Sequence, residues 1–173
     1  MISLRGATQR FGSRVVLDDV TFTFDRDRVY VLQGPSGTGK STLLNLIAGY
    51  LPLTSGTITC DGSVEYLLQD ELLFSQLTIA QNLRIRTARQ DPDGTGDADP
   101  LVERALSALG LGGRAEAQVF RLSGGERRRV ELAGMLMSEP AVLLLDEPVG
   151  NLDPLNARDV YDALWDIRAG RAL

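Results

Sequence analysis

The sequence predicts an α/β fold with a largely parallel sheet, on three observations. Short apolar runs, Val29-Tyr30-Val31-Leu32 and Ala141-Val142-Leu143-Leu144-Leu145, carry no polar face, which is the pattern of strands covered on both sides. Loops and segments of helical period follow them. Strand, loop and helix alternate along the chain with no internal repeat and no long linker, as in layered α/β domains.

The elements follow in order. The first thirty residues read as short strands. Val20–Phe24 alternates with period two, and Asp25-Arg26-Asp27-Arg28 reads as a turn. Val29–Leu32 is a strand that leads into a glycine-rich loop. Lys40 to Tyr50 is helical, with Leu43, Leu44, Ile47 and Ala48 on one side, and Leu51–Gly56 breaks it. Two strands, near Gly56–Cys60 and Val64–Leu68, flank the turn dipeptide Asp61-Gly62. Residues 77–90 and 99–110 read as helices around a polar loop at 91–97. Ser123-Gly124-Gly125 opens a helix to about Ser138. The strand Ala141–Leu145 follows Pro140, and a last helix spans about Leu155 to Ala169.

Composition narrows the function. The chain has 173 residues, enough for one domain with a sizeable core. A formal net charge of −5 argues against nucleic acid as the main partner. Cys60 is the only cysteine, which rules out an internal disulfide, and it reads as a small apolar filler in a strand. Histidine is absent, which excludes histidine-ligated metals and histidine-based triads. No leader segment is apparent after Met1, and no apolar run reaches the ~20 residues that cross a bilayer. The expectation is a cytosolic chain, or one held at a membrane through a partner.

Three clusters carry chemistry. Gly34-Pro35-Ser36-Gly37-Thr38-Gly39-Lys40-Ser41-Thr42 fits G-x-x-x-x-G-K-[ST], a loop that wraps nucleotide phosphates. Lys40 is the only lysine; every other basic residue is arginine. A compact ammonium suits a point contact between phosphate oxygens in a way that a planar guanidinium does not. Lys40 would reach the β- and γ-phosphates of ATP, Ser41 would place its hydroxyl on Mg2+, and Thr42 would steady the phosphates nearest the nucleoside. Asp146-Glu147, at the C-terminal edge of an apolar strand, stand where open α/β sheets bind ligands. Asp146 would reach Mg2+ through water, and Glu147 would polarise an attacking water as general base. Leu122-Ser123-Gly124-Gly125-Glu126 places a serine and a glycine pair at a helix start, a second anion site.

Together these residues resemble the nucleotide-binding domain of ATP-binding cassette (ABC) proteins, over about Ile2 to Leu173. The resemblance implies a P-loop NTPase core of RecA-like type, with a mostly parallel sheet, an N-terminal antiparallel β region and an inserted helical subdomain at about 70–125. It also implies ATP hydrolysis with Mg2+. Gln69 matches the glutamine that senses Mg2+ and the attacking water, and Asn151-Leu152-Asp153 matches a loop that crosses a dimer interface. Phe11 matches the aromatic that stacks on adenine. The implied partners are a second cassette, as homodimer or paired subunit, and a transmembrane permease on the inner face of the cell membrane. Ser123–Glu126 would close over the γ-phosphate held by the opposite subunit. Leu72-Leu73-Phe74 would either receive a helix from the permease or fill the core. Arg127, Arg128 and Arg129 are expected mostly on a solvated helix face, with interdomain contacts as the alternative.

Two departures stand out. Lys40 to Gln69 is shorter than in the family. The family also carries a switch histidine on the strand after the last helix, whereas Gly170-Arg171-Ala172-Leu173 stand about where that strand would begin and no histidine occurs. In the family's strand order the absent strand lies between Val29–Leu32 and Val142–Leu145. With strands about 4.8 Å apart, its loss leaves a gap of roughly 9.6 Å. Unpaired backbone groups there would cost on the order of 1–3 kcal/mol each. The expectation is a shortened cassette. A transporter ATPase, a soluble ABC protein without transport function and a weakly active nucleotide-binding fragment all stay open on these residues.

Overall fold

A computed structural model of the chain describes residues 1–26, 28–87, 98–150 and 152–170. The expectations for Asp27, residues 88–97, Asn151 and residues 171–173 fall outside these. The described residues pack as two compact units, the first formed by Met1–Tyr66 with Pro140–Asp146, the second by Leu67–Glu139 with the residues from Glu147 to Gly170.

In the first unit, β1 (Ile2–Phe11) and β2 (Arg14–Phe24) form an antiparallel hairpin, and β3 (Ser55–Cys60) pairs antiparallel on the other side of β1. The order is β2-β1-β3. The strands expected to be short are ten and eleven residues long. Register shifts between Leu4 and Ala7 let β1 keep its apolar side chains inward: Ile2 and Leu4 before the shift, Ala7 after it. Helix α1 (Lys40–Ile47) buries Leu44, Leu46 and Ile47. A second sheet pairs β4 (Val64–Leu67) with β5 (Val142–Leu145).

Val29–Leu32 departs from expectation. It lies in no strand, and its side chains are exposed, Val31 at 73%. An apolar run becomes a buried strand only when neighbours take up its backbone hydrogen bonds. Among the described residues no ladder runs along this segment. Tyr30 instead packs edge-to-face on Phe22 and Phe24 and its hydroxyl accepts from the Asp25 N–H.

The second unit is helical: α2 (Ile79–Thr87), α3 (Ala98–Ala108), α4 (Gly124–Leu136) and α5 (Pro154–Gly170), with a 3-10 turn at Val119–Arg121. Its core gathers Ile79, Leu83, Leu106, Val130, Met135 and Val160, all fully buried. Of the arginines after the glycine pair, Arg127 stays about a third exposed, whereas Arg128 and Arg129 are not on a solvated face. Arg128 is buried and Arg129 nearly so. Each of the three meets a carboxylate: Glu71 for Arg127, Glu131 for Arg128 and Asp159 for Arg129. That pairing offsets the desolvation of a guanidinium.

Candidate nucleotide site

The glycine loop is held in shape by donors from side chains. Lys40 Nζ donates to the carbonyls of Gly34 (2.9 Å) and Pro35 (3.0 Å). Thr38 Oγ1 donates to Pro35 O, and Arg14 Nη2, from the start of β2, donates to Gly37 O at 2.9 Å. Gly39 is required twice over. Its φ is +97°, and a Cβ there would lie 2.6 Å from Val16 Cγ1.

The start of α1 has no side-chain cap and no acidic residue in its first turn. Helix starts leave backbone N–H groups without partners inside the helix, and these carry partial positive charge. Lys40, Ser41 and Thr42 form that first turn, so an anion is the partner the arrangement suits. Asp146 follows β5 in the same unit, and Tyr66, the third residue of β4, donates its hydroxyl to Asp146 Oδ2 at 3.2 Å. Burial first, and then the Asp146 carboxylate, push the Tyr66 phenol well above its ordinary range, so it stays a donor. Phe11 is about half exposed at the end of β1.

The described residues hold no cluster of three or more histidine, cysteine or acidic groups fit for a metal. Magnesium needs none. It is usually held by one or two protein oxygens, with water and substrate phosphates completing the octahedron. Ser41 and Asp146 supply hard oxygens of that kind.

In the helical unit, Gln69 Nε2 donates weakly to Glu147 Oε2 at 3.4 Å, which brings two of the expected residues together. Glu147 is exposed and has φ +46°, a conformation that costs an ordinary residue energy and is often retained at functional sites. At the start of α4, Ser123 and Glu126 form a reciprocal capping box: Ser123 Oγ accepts from Glu126 N, and Glu126 Oε2 accepts from Ser123 N at 2.8 Å. Glu126 also pairs with Arg114. The Ser123 N–H, opposed by burial and aided by Arg114, holds the Glu126 carboxyl below its ordinary range. Glu126 is therefore engaged by the cap, while the Ser123 hydroxyl proton and the starting N–H groups of Gly124 and Gly125 stay on the helix end. Gly125 is packed against Asn156 of α5. Asp153, the last residue before α5, accepts from the N–H groups of Leu155 (3.1 Å) and Asn156 (3.2 Å). The Asn156 side-chain amide, and then those backbone bonds, hold its carboxyl below the usual range.

Sequence reasoning missed Arg14, Tyr66, Arg114 and Asn156, the side chains that hold the expected residues in place. Their partners lie 12 to 80 positions away for Arg14, Tyr66 and Arg114, so no local pattern announces them.

Residues 17–150 match the family model for ABC transporters. An Fe(3+) ions import ATP-binding protein of Streptomyces coelicolor is 42% identical over 168 residues, covering 88% of this chain and 47% of that protein. A phosphonates import ATP-binding protein of Natronomonas pharaonis is 39% identical, covering 94% of this chain and 75% of its own length. The chain spans about half to two thirds of the length of most of the curated relatives it matches. Among solved structures, an ATP-binding cassette of an ABC transporter superposes with a TM-score of 0.88 at 22% identity, over 100% of this chain and 78% of that one. A Clostridium perfringens subunit, part of an ABC transporter complex, gives 0.85 at 25% identity, over 98% of this chain and 74% of its own.

Proposed function

Because this chain belongs to the ABC transporter family, we propose that it is the ATP-binding and ATP-hydrolysing cassette of a transporter. The observation that carries this reading is the phosphate loop. A lone lysine rests its ammonium on two loop carbonyls at the head of an uncapped helix. When triphosphate enters, Lys40 exchanges those carbonyls for phosphate oxygens, and the first N–H groups of α1 take up the remaining charge. Gly34, Pro35, Ser36, Gly37, Thr38 and Gly39 shape the cradle, Thr42 steadies it, and Phe11 stacks on the base.

Ser41 and Asp146 would hold Mg2+, which when bound neutralises phosphate charge. Tyr66 turns the Asp146 carboxylate by its hydrogen bond. Gln69 would help hold Mg2+ and orient the attacking water, and Glu147 would accept that water's proton. Phosphoryl transfer asks for little more than such positioning and charge neutralisation.

Two helix starts suited to anions, at Lys40 and at Ser123, favour a head-to-tail pair of cassettes. In it Ser123, Gly124 and Gly125 of one copy close on the nucleotide of the other, with Glu126 holding the helix start and Asp153 at the interface. Leu72 and Phe74, 60% and 58% exposed, suit a permease segment docking on the helical unit, and this would place the chain at the inner face of the membrane. A second reading, a nucleotide-binding chain of feeble turnover, is favoured by the exposed Val29–Leu32, which leads into the loop and joins no ladder among the described residues.

Calorimetry with MgATP on the folded chain and on Lys40→Ala tests the reading. Losing a charge-assisted hydrogen bond of about 1.5–3 kcal/mol weakens the Kd by about 10- to 150-fold. No uptake by the parent chain, or an unchanged Kd in the variant, refutes it.

A further inference from the structure

Two charged residues of α4 have no part in the function proposed above. Arg128 and Glu131, one helical turn apart, are 6% and 2% exposed and pair through Arg128 Nη1 and Glu131 Oε2 at 2.9 Å. A buried ion pair is a poor way to stabilise a helix. Desolvating two charges offsets their attraction, and apolar residues of similar volume often serve as well or better.

What distinguishes this pair is where its other atoms go. Glu131 Oε1 accepts from the Leu72 N–H at 2.7 Å. Arg128 Nε donates to the Pro148 carbonyl at 3.0 Å. The two side chains therefore tie together two loops of the helical unit, Gln69–Phe74 and Glu147–Gly150. These are the loops that carry Gln69 and Glu147, whose own contact, at 3.4 Å, is too long to hold them in register.

The rest of the first loop is strapped in the same way. Arg127 Nε donates to Glu71 Oε1 at 2.7 Å. The buried Asn82 of α2 accepts from Phe74 N at 2.7 Å and donates to Phe74 O at 3.0 Å. The second loop starts at Glu147 in the left-handed region, which persists only where its surroundings over-determine it. The Arg128 bond to the next carbonyl is one such constraint, and the Gly150 N–H to Glu147 O bond, at 3.0 Å, is another.

We propose that the Arg128–Glu131 pair is a positioning clamp that sets the Gln69 loop against the Glu147 turn. Its effect on turnover rests on the hydrolysis proposed above; its effect on the loops does not. The function proposed above gives neither residue a contact with the nucleotide; they bond to Leu72, Pro148 and each other.

The test uses the full chain with Glu131→Gln, whose two side-chain termini cannot both accept, from the Leu72 N–H and from Arg128, and with the double substitution Arg128→Met/Glu131→Leu, which removes both charges at similar volume. MgATP Kd, phosphate release and hydrogen exchange at the Leu72 amide are measured on each. Both variants are expected to bind MgATP within about threefold of the parent while kcat falls about 10- to 100-fold, and the double variant exchanges the Leu72 amide at least about tenfold faster. A pair that only stabilised the fold would leave the kcat of folded variants unchanged. Parent-like kcat in either folded variant, or parent-like exchange at Leu72 in the double variant, overturns the clamp. If the double variant does not fold, kcat in Glu131→Gln decides. A parent that binds MgATP without hydrolysing it removes the proposed activity, and the clamp then stands or falls on Leu72 exchange, read in Glu131→Leu if the double variant is unfolded.

Discussion

Replacing Gly125 by alanine puts a methyl group where the wall of α5 already stands. An added Cβ would lie 2.5 Å from Asn156 Oδ1, 2.8 Å from its Cγ and 2.7 Å from its Cβ. The amide oxygen could swing aside. The Asn156 Cβ cannot, because it is fixed to the first turn of α5, whose Leu155 and Asn156 N–H groups are capped by Asp153. Ordinary contact begins near 3.4 Å, so α4 or α5 must shift by about 0.7 Å. Overpacking of this kind costs about 1–3 kcal/mol. Alanine returns at most about 1 kcal/mol through helix propensity, and less in a first turn. The net expectation is destabilisation by about 1–2 kcal/mol, a Tm lower by about 2–8 °C for a chain of this size. Circular-dichroism melts measure it. Gly125→Ala should cost less in an Asn156→Gly background than in the parent, since that background lacks all three colliding atoms. An unchanged or raised Tm in the single variant would show that α5 is no wall, and the reasoning would fail.

Glu147→Gln removes the proposed base while keeping its shape, so phosphate release should fall about 10²- to 10⁴-fold with MgATP binding retained; parent-like turnover would reassign the base. Tyr66→Phe deletes the donor to Asp146, and urea melts should report a loss of about 1 kcal/mol. Glu126, held below its ordinary range by the Ser123 N–H and Arg114, contributes stability above its unfolded pKa, and that contribution is lost as pH falls through its lower folded pKa. The stability gap between the parent and Glu126→Gln should therefore be full near neutrality and close on acidification below about pH 4, which melts across pH will show.

The parts legible in the sequence are those set by neighbours along the chain. The loop Gly34–Thr42 and helix α1 follow from glycine spacing and an apolar period, and Ser123 with Glu126 three residues on announces the capping box at the start of α4. Asp146 and Glu147 follow an apolar run that does form β5. Where sequence reasoning failed, a distant partner decided the outcome. Val29–Leu32 has the composition of a buried strand, yet a strand exists only through its ladder, and none runs along it among the described residues. Arg127–Arg129 have the composition of a wetted face, yet carboxylates at Glu131 and Asp159 draw Arg128 and Arg129 in.

By itself the sequence determined the chemistry on offer: one lysine among glycines, two carboxylates after a strand, a serine and glycine pair opening a helix. These depend on local backbone geometry, which a few consecutive residues dictate. Only the tertiary structure decided how those groups are held, through Arg14 on the loop, Tyr66 on Asp146, Asn156 behind Gly125 and the Arg128–Glu131 pair between two loops. Hydrogen bonding and steric exclusion act over a few ångströms of space, and which groups share that space is a property of the packed chain.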